Sequence, residues 1–237
     1  MSTADREGRL TGVFVALADT LVAEYDVVDL LHTLVDECIS LFDASAAGLV
    51  LADAHGRLQL MASTSEPTRI VELQQLNIDK GPCVECFATG SVIAVDDLAD
   101  ESVRWPEFRS SALGQGFRSV YAVPLRLRNE TIGALNLFKS RPGTLNQADA
   151  AAAQALADVA TIGILQERAI RERTLVAEQL QAALDSRVLI EQAKGVVAQT
   201  RGLAMEDAFT RLRDYARRNN QRLRDVAESV ISRTLDV

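Results

Sequence analysis

The chain has 237 residues, 48% of them hydrophobic and 24% charged, with a formal net charge of −8. That is ordinary globular composition, enough for one large domain or two modest ones. No apolar run approaches the ~20 residues of a membrane span, the N-terminal "MSTADREGRLTG" lacks the basic start and apolar core of a signal peptide, and three cysteines do not make a disulfide framework, so a reducing cytoplasm is expected.

Residues 8–24 place Leu10, Val13/Phe14, Leu17 and Leu21 at three- and four-residue spacing, which predicts one face of a helix. A second helix fits 27–42, with Val27, Leu30/Leu31, Leu34, Ile39 and Leu41/Phe42 apolar. "AAGLVLA" (46–52) and "RLQLMAS" (57–63) read as two arms of a hairpin joined by "DAHG". "PTRIVELQQL" reads as a short helix and "SVIAVDDL" as a strand leaving a loop. "SVYAVPLRL" (119–127) and "TIGALNLFK" (131–139) form a second hairpin around "RNE". Pro124 removes a ladder donor, so that position belongs at an edge or bulge. Helices, a strand pair, an irregular segment and a second strand pair make an α+β domain on an antiparallel sheet.

From Gln147 to about Thr200 there is no proline, and alanine, leucine, glutamate, glutamine and arginine dominate. Asn146 can cap the start. One continuous helix of this length measures roughly 75–80 Å and needs a partner beyond one small domain. Leu156, Val159/Ala160, Gly163, Ile170, Ala177, Leu180, Leu184 and Val188 recur at steps that suit a dimer seam, interrupted by Glu167 and Thr174. The competing arrangement lays the first half of the helix on its own sheet and leaves the rest solvated.

Gly202 breaks the long helix, and two short amphipathic helices follow. The first carries Ala208/Phe209, Leu212, Tyr215 and Ala216 on one face; the second carries Leu223, Val226/Ala227, Val230/Ile231 and Leu235. With Leu189, Ile190, Ala193 and Val197 of the long helix they make a three-helix unit, Phe209 and Tyr215 being assigned to its core. Charge is uneven: residues 187–237 hold ten basic and seven acidic side chains, the preceding 186 fifteen and twenty-six. The stretch Arg211 to Arg224 has six arginines and one acid, Asp214, placed to neutralise Arg211 and Arg218 in part. Arg213 and Arg217 have no such acid, and Arg222 and Arg224 follow Asn219, Asn220 and Gln221. Cations interleaved with amides suit a polyanion with readable base edges; the plain alternative is a solvated helix face.

"SRVLIEQAKGVVAQTRGLAMEDAFTRLRDYARRNNQRLRDVAESVI" (186–231) resembles an ANTAR domain, through "IEQAKG", "DAF..LR..A" and "N..L.DVA" in order and spacing. The resemblance implies a dimeric bacterial antiterminator that binds paired stem-loops in leader transcripts. Carried over by position, Ala193, Gly195, Ala208 and Ala227 are expected as small packing residues. Lys194, Arg201, Arg213, Arg217, Arg218 and Arg222 are the candidates for RNA contact, chosen on charge. Ala204 stands where the family often has Ser or Thr, so that helix lacks a hydroxyl cap.

"DKGPCVECFATGSVIAVDDL" (79–98) and "GFRSVYAVPLRLRNETIGALNLF" (116–138) resemble a GAF domain over roughly residues 8–165. The resemblance implies the fold and leaves the ligand open, a small molecule or a protein signal; no cofactor is expected. Cys83 and Cys86 form C-V-E-C, a candidate redox pair if a helix start activates a thiolate; the alternative is two packed thiols. A zinc site lacks further ligands at a recognised spacing. Asp96, Asp97, Asp100 and Glu101 read as a loop cap rather than paired catalysts.

The expected architecture is therefore an α+β GAF sensor domain (1–165, antiparallel sheet flanked by helices), a long connecting helix or coiled coil (147–185, overlapping the GAF C-terminal helix) and an all-α three-helix ANTAR domain (174–237). The expected function is non-enzymatic: a homodimeric, signal-responsive RNA-binding regulator acting by transcription antitermination. A DNA-binding regulator and a GAF-type methionine sulfoxide reductase are the alternatives.

Overall fold

A computed structural model describes residues 3–20, 27–100, 104–128 and 130–237; Leu21, Glu101 and Asn129, which entered the readings above, lie outside the described residues. Two compact units divide the chain, Met1–Arg168 and Ala169–Val237.

The first unit is built on five strands, β1 (Ala46–Ala52), β2 (Leu58–Ser63), β3 (Ile93–Val95), β4 (Ser119–Leu127) and β5 (Glu130–Lys139), in the order β2-β1-β5-β4-β3. Every neighbouring pair is antiparallel. Both expected hairpins are present. Asp53 closes the first, its carboxylate accepting from the backbone N–H of His55 at 2.8 Å and Arg57 at 3.0 Å. Pro124 pairs with Ala134 on one side, while on the other β3 reaches only as far as Ala122. Its missing N–H therefore costs no ladder bond, and the register shifts just beyond it, between Leu125 and Arg126.

Alternation along the strands gives the sheet two apolar faces. Leu49, Leu51, Val123, Leu125, Leu135 and Leu137 pack with α1 (Thr3–Thr20), α2 (Val27–Phe42) and the first turns of α6 (Gln147–Arg201), which contribute Leu17, Leu31, Leu34, Leu156 and Ile164 among others. The opposite face carries α3 (Glu66–Ile78), α4 (Pro82–Thr89) and α5 (Pro106–Gly114), with Val71, Cys83, Cys86 and Phe108 packed on Val50, Val120, Ala122, Ala134 and Phe138. α4 and α5 are absent from the sequence reading. Each is under ten residues, too short for a 3.6-residue period to register, although a proline opens both.

Asn146 caps α6, its side-chain oxygen accepting from the N–H of Asp149 at 2.9 Å. Leu156 and Ala160 are buried in the core of the first unit's sheet, and Gly163 is buried as well. This corrects the seam reading for that half of the helix: these positions repeat at helical spacing because they cover their own core. Ile170, Leu180, Leu184 and Val188 are each half or more exposed. Among the described residues α6 is also the one helix long and apolar enough to cross a membrane by length and composition. Its alanine-rich stretch is broken by Gln154 and Asp158, and Ala153, Leu156, Ala157 and Ala160 are buried on the sheet.

In the second unit, Gly202 takes a φ of 64° and ends α6. α7 (Met205–Arg218) and α8 (Leu223–Ile231) follow. Ala193, Val197, Ala208, Leu212, Ala216, Val226, Ala227 and Val230 form the core that the three helices share.

Candidate nucleic-acid interface

α7 advances about 100° per residue, so burying Ala208, Leu212 and Ala216 fixes where its other side chains point. One flank carries Phe209, Arg213 and Arg217. The opposite flank carries Asp207, Arg211, Asp214 and Arg218. Glu206 and Asp207 occupy its first turn and Arg217 and Arg218 its last, matching the helix dipole at both ends. Ala204 is the N-cap and makes no side-chain cap bond.

On the first flank the Lys194 ammonium lies 5.6 Å from the centre of the Phe209 ring and the Arg213 guanidinium 6.0 Å from it. Both are within cation–π range. Lys194 is only 17% exposed at its side chain and also pairs with Glu191 at 3.0 Å. Arg213 and Arg217 are exposed and make no ion pair among the described residues. Phe209 is partly exposed and lies outside the shared core. The assignment of Phe209 to the core is thereby corrected: it falls one position past buried Ala208, at the border of the apolar face. Tyr215 does pack against the core.

The second flank is charge-balanced. Arg201 binds Asp236 at 2.9 Å and donates from Nε to the Val237 carbonyl at 3.2 Å. Arg218 donates from Nε to the backbone carbonyl of Asp214 at 3.3 Å. Arg201, Arg211 and Arg218 share one recess with Asp207, Asp214 and Asp236. No ion pair joins Asp214 to Arg211 or Arg218 among the described residues, so the expected neutralisation takes the form of proximity rather than contact.

Arg222 is the N-cap residue of α8 and, like Arg224, is exposed. Of the small residues, Ala193, Ala208 and Ala227 are fully buried, whereas Gly195 is exposed and a Cβ placed on it meets nothing within 4 Å. Gly195 therefore has no packing role in the trio: it sits two residues from both Ala193 and Val197, on the outer side of the helix.

The candidate thiols of the first unit sit in a buried polar cluster that the sequence reading missed. Cys83 is in the first turn of α4, as an activated thiolate would require, but burial and the neighbouring Glu72 carboxylate push its pKa well up. Burial likewise pushes Cys86 up to about 12. Both are inaccessible, uncharged thiols with no disulfide between them, which is the opposite of a nucleophile's environment. The backbone N–H of Cys83 donates to Gln75 Oε1 at 3.2 Å, Gln75 Nε2 donates to Glu72 at 2.6 Å, and Asn136 Nδ2 donates to the other Glu72 oxygen at 2.7 Å. Gly48 pairs with Asn136 across the sheet and leaves room for this carboxylate; a Cβ there would stand 2.5 Å from it. Asp97 serves as a loop cap and ion-pair partner, accepting from the N–H of Ala99 at 3.0 Å and pairing with Arg118 at 2.6 Å. Among the described residues no group of three or more His, Cys, Asp or Glu is placed to hold a metal ion.

The GAF domain family matches residues 24–165 and the ANTAR domain family residues 178–231. The chain is a GAF–ANTAR protein. A sensory domain followed by an RNA-binding one makes it a signal-sensing regulator with an RNA-binding output domain. No curated protein matches it significantly. Among solved structures it resembles the GAF domain of a phosphoenolpyruvate-protein phosphotransferase from Coxiella burnetii, at 18% identity over 72% of this chain and 99% of that one, with a TM-score of 0.55. The corresponding Acinetobacter domain gives 14% identity, 72% and 98% coverage and a TM-score of 0.54. Free methionine-R-sulfoxide reductase from Neisseria meningitidis gives 20% identity, 72% and 95% coverage and a TM-score of 0.55. At these identities the likeness is one of fold.

All six candidate RNA contacts lie within the ANTAR match, and both thiols and the Glu72 cluster lie within the GAF match. The structure brings Lys194, Arg213 and Arg217 to one flank of α7 in this GAF–ANTAR protein and places Arg201 and Arg218 on the other. Phe209, absent from the candidate set, joins the first group. Its position beside Ala208, at the margin of the apolar stripe, was the available signal.

Proposed function

We propose that this GAF–ANTAR protein is a homodimeric regulator that acts by transcription antitermination on structured leader RNA in the cytoplasm, under control of a small-molecule or protein signal at its GAF domain. The observation that carries the reading is a group of exposed arginines, Arg213, Arg217, Arg222 and Arg224, that make no ion pair among the described residues and lie inside the span matched by the ANTAR family. A chain of net charge −8 repels polyanions over most of its surface. Cations concentrated in one domain make binding local and oriented, since phosphate contacts position a protein on RNA and base contacts specify it.

The exposed stripe Ile170, Leu180, Leu184 and Val188 supports pairing of two copies through α6. Two basic units on one dimer would capture two stem-loops of matching spacing, the second at high effective concentration. A signal that binds one arrangement of the pair better than another then changes the fraction competent for RNA. No residue identifies that signal, and no cofactor is assigned.

The test is a gel shift with the full chain at matched salt, comparing a two-hairpin RNA with duplex DNA of equal charge. RNA is expected to bind more tightly; equal affinity for the DNA would sink the reading. Sequencing RNAs that copurify with the protein identifies the transcripts.

A further inference from the structure

Phe209 lies outside the core that the three helices share. The unit holds two aromatic side chains, Phe209 and Tyr215. Tyr215 packs against the core, while Phe209 is partly exposed and is not part of that cluster. The two cations near its ring do not balance charge there. Lys194 is already paired to Glu191, and Arg213 makes no ion pair among the described residues. Arg217 lies one turn beyond Arg213 on the same flank. The other flank has the same number of cations but offsets them with Asp207, Asp214 and Asp236.

A partly exposed phenyl ring with a lysine and an arginine within cation–π range matches the chemistry of one unpaired nucleotide. The ring stacks on the base, which every base allows because each has a π-face, and the cations meet the phosphates on either side. Duplex RNA cannot use such a seat, since its bases are already stacked on each other. We infer that Phe209, flanked by Lys194 and Arg213, is a stacking seat for a single unpaired base of an RNA loop. It makes this flank of α7 the part of the surface that tells looped from fully paired RNA. The inference rests on the RNA reading proposed above.

The experiment uses the full chain and two synthetic RNAs of equal length and charge, one with two hairpins whose loops are randomised and one fully paired. Phe209→Leu preserves apolar volume, and Phe209→Trp preserves the stack; circular dichroism and thermal unfolding check that both variants fold. Phe209→Leu is expected to weaken looped-RNA binding about 5- to 150-fold, the span of one base–aromatic stack, with little change for the paired RNA and an unchanged salt slope. Phe209→Trp is expected to keep the preference. Parent-like preference in Phe209→Leu overturns the inference. So does equal weakening on both RNAs with a shallower salt slope, which would mean that the ring merely positions Lys194 and Arg213. A parent protein that prefers neither RNA over duplex DNA would instead bring down the RNA reading, and this inference with it.

Discussion

Replacing Glu72 by glutamine tests whether the GAF domain stores a pH-dependent penalty in its interior. Burial lifts the Glu72 carboxyl from 4.5 to about 7, against the opposing effect of hydrogen bonds from Asn136, Gln75 and Cys83. A carboxyl whose pKa is higher in the folded state holds its proton more tightly there. Its contribution is fully present below the unfolded value and is lost as pH rises through the folded one. The full effect is on the order of 3 kcal/mol, about 2 of which falls between about pH 5.5 and about pH 8. The glutamine amide removes the ionisation and keeps the shape. It presents an NH2 group where the carboxylate had an acceptor, and Asn136 can meet one of its two N–H donors by turning its own amide over. Asn136 Oδ1 is buried with no hydrogen-bond partner among the described residues, so the turn gives Oδ1 a donor and leaves Nδ2 in its former place, an exchange of one unpaired group for another.

The single tryptophan, Trp105, lies in the first unit, so urea unfolding followed by its fluorescence reports this domain. The parent is expected to lose about 2 kcal/mol on going from about pH 5.5 to about pH 8 beyond what Glu72→Gln loses, and the variant to be the more stable at the upper end. Parallel pH profiles for the two proteins would refute the reasoning, because the penalty would then lie in other groups.

Arg217→Ala is expected to weaken RNA binding and flatten its salt dependence by about 0.7–0.9 for each phosphate that this guanidinium neutralises, whereas Arg211→Ala, amid the acids of the opposite flank, leaves both nearly unchanged; fluorescence anisotropy across salt concentrations measures the pair. Leu180→Asp with Leu184→Asp should convert a dimer to a monomer in light scattering coupled to gel filtration while leaving the circular dichroism of the monomer intact. Cys83 and Cys86 should react with a thiol reagent only after denaturant opens the domain, and rapid labelling of the native chain would contradict their burial.

The elements most legible in the sequence were those with long, clean periodicity. The two hairpins, the 55-residue α6 and the amphipathic α7 were read correctly in kind. What failed did so for identifiable reasons. A helical repeat says that a face is covered and not by what, so Leu156 and Ala160 were assigned to a seam when they cover their own sheet. Gly195 was carried over by motif although the α6 face it occupies is open. The Glu72 cluster joins residues 64 positions apart, Glu72 and Asn136. No local pattern reports that pairing, but Glu72 and Gln75 at buried positions of α3 and Asn136 within the apolar run "GALNLF" were each out of place for a polar residue.

The exposed stretch of α6 also constrains how strongly two copies can pair. Ile170, Leu180, Leu184 and Val188 are half or more exposed, so covering what remains gains about 1 kcal/mol or more apiece, on the order of 8 kcal/mol for two chains. Association costs about 4–15 kcal/mol in reduced freedom of motion. Thr174 interrupts the stripe and adds nothing to the gain. A contact made by this stripe alone is therefore close to balance. Closeness to balance is what a sensor requires: moving a two-state population from about 1:99 to 99:1 takes about 5.5 kcal/mol of differential binding, and a seam much stronger than that would stay paired whatever the GAF domain bound. Strengthening it with Thr174→Leu should therefore raise dimer stability and, in the same protein, reduce the response of RNA binding to any signal. A variant that dimerises more tightly yet responds in full would show that the seam is not the element the signal acts on.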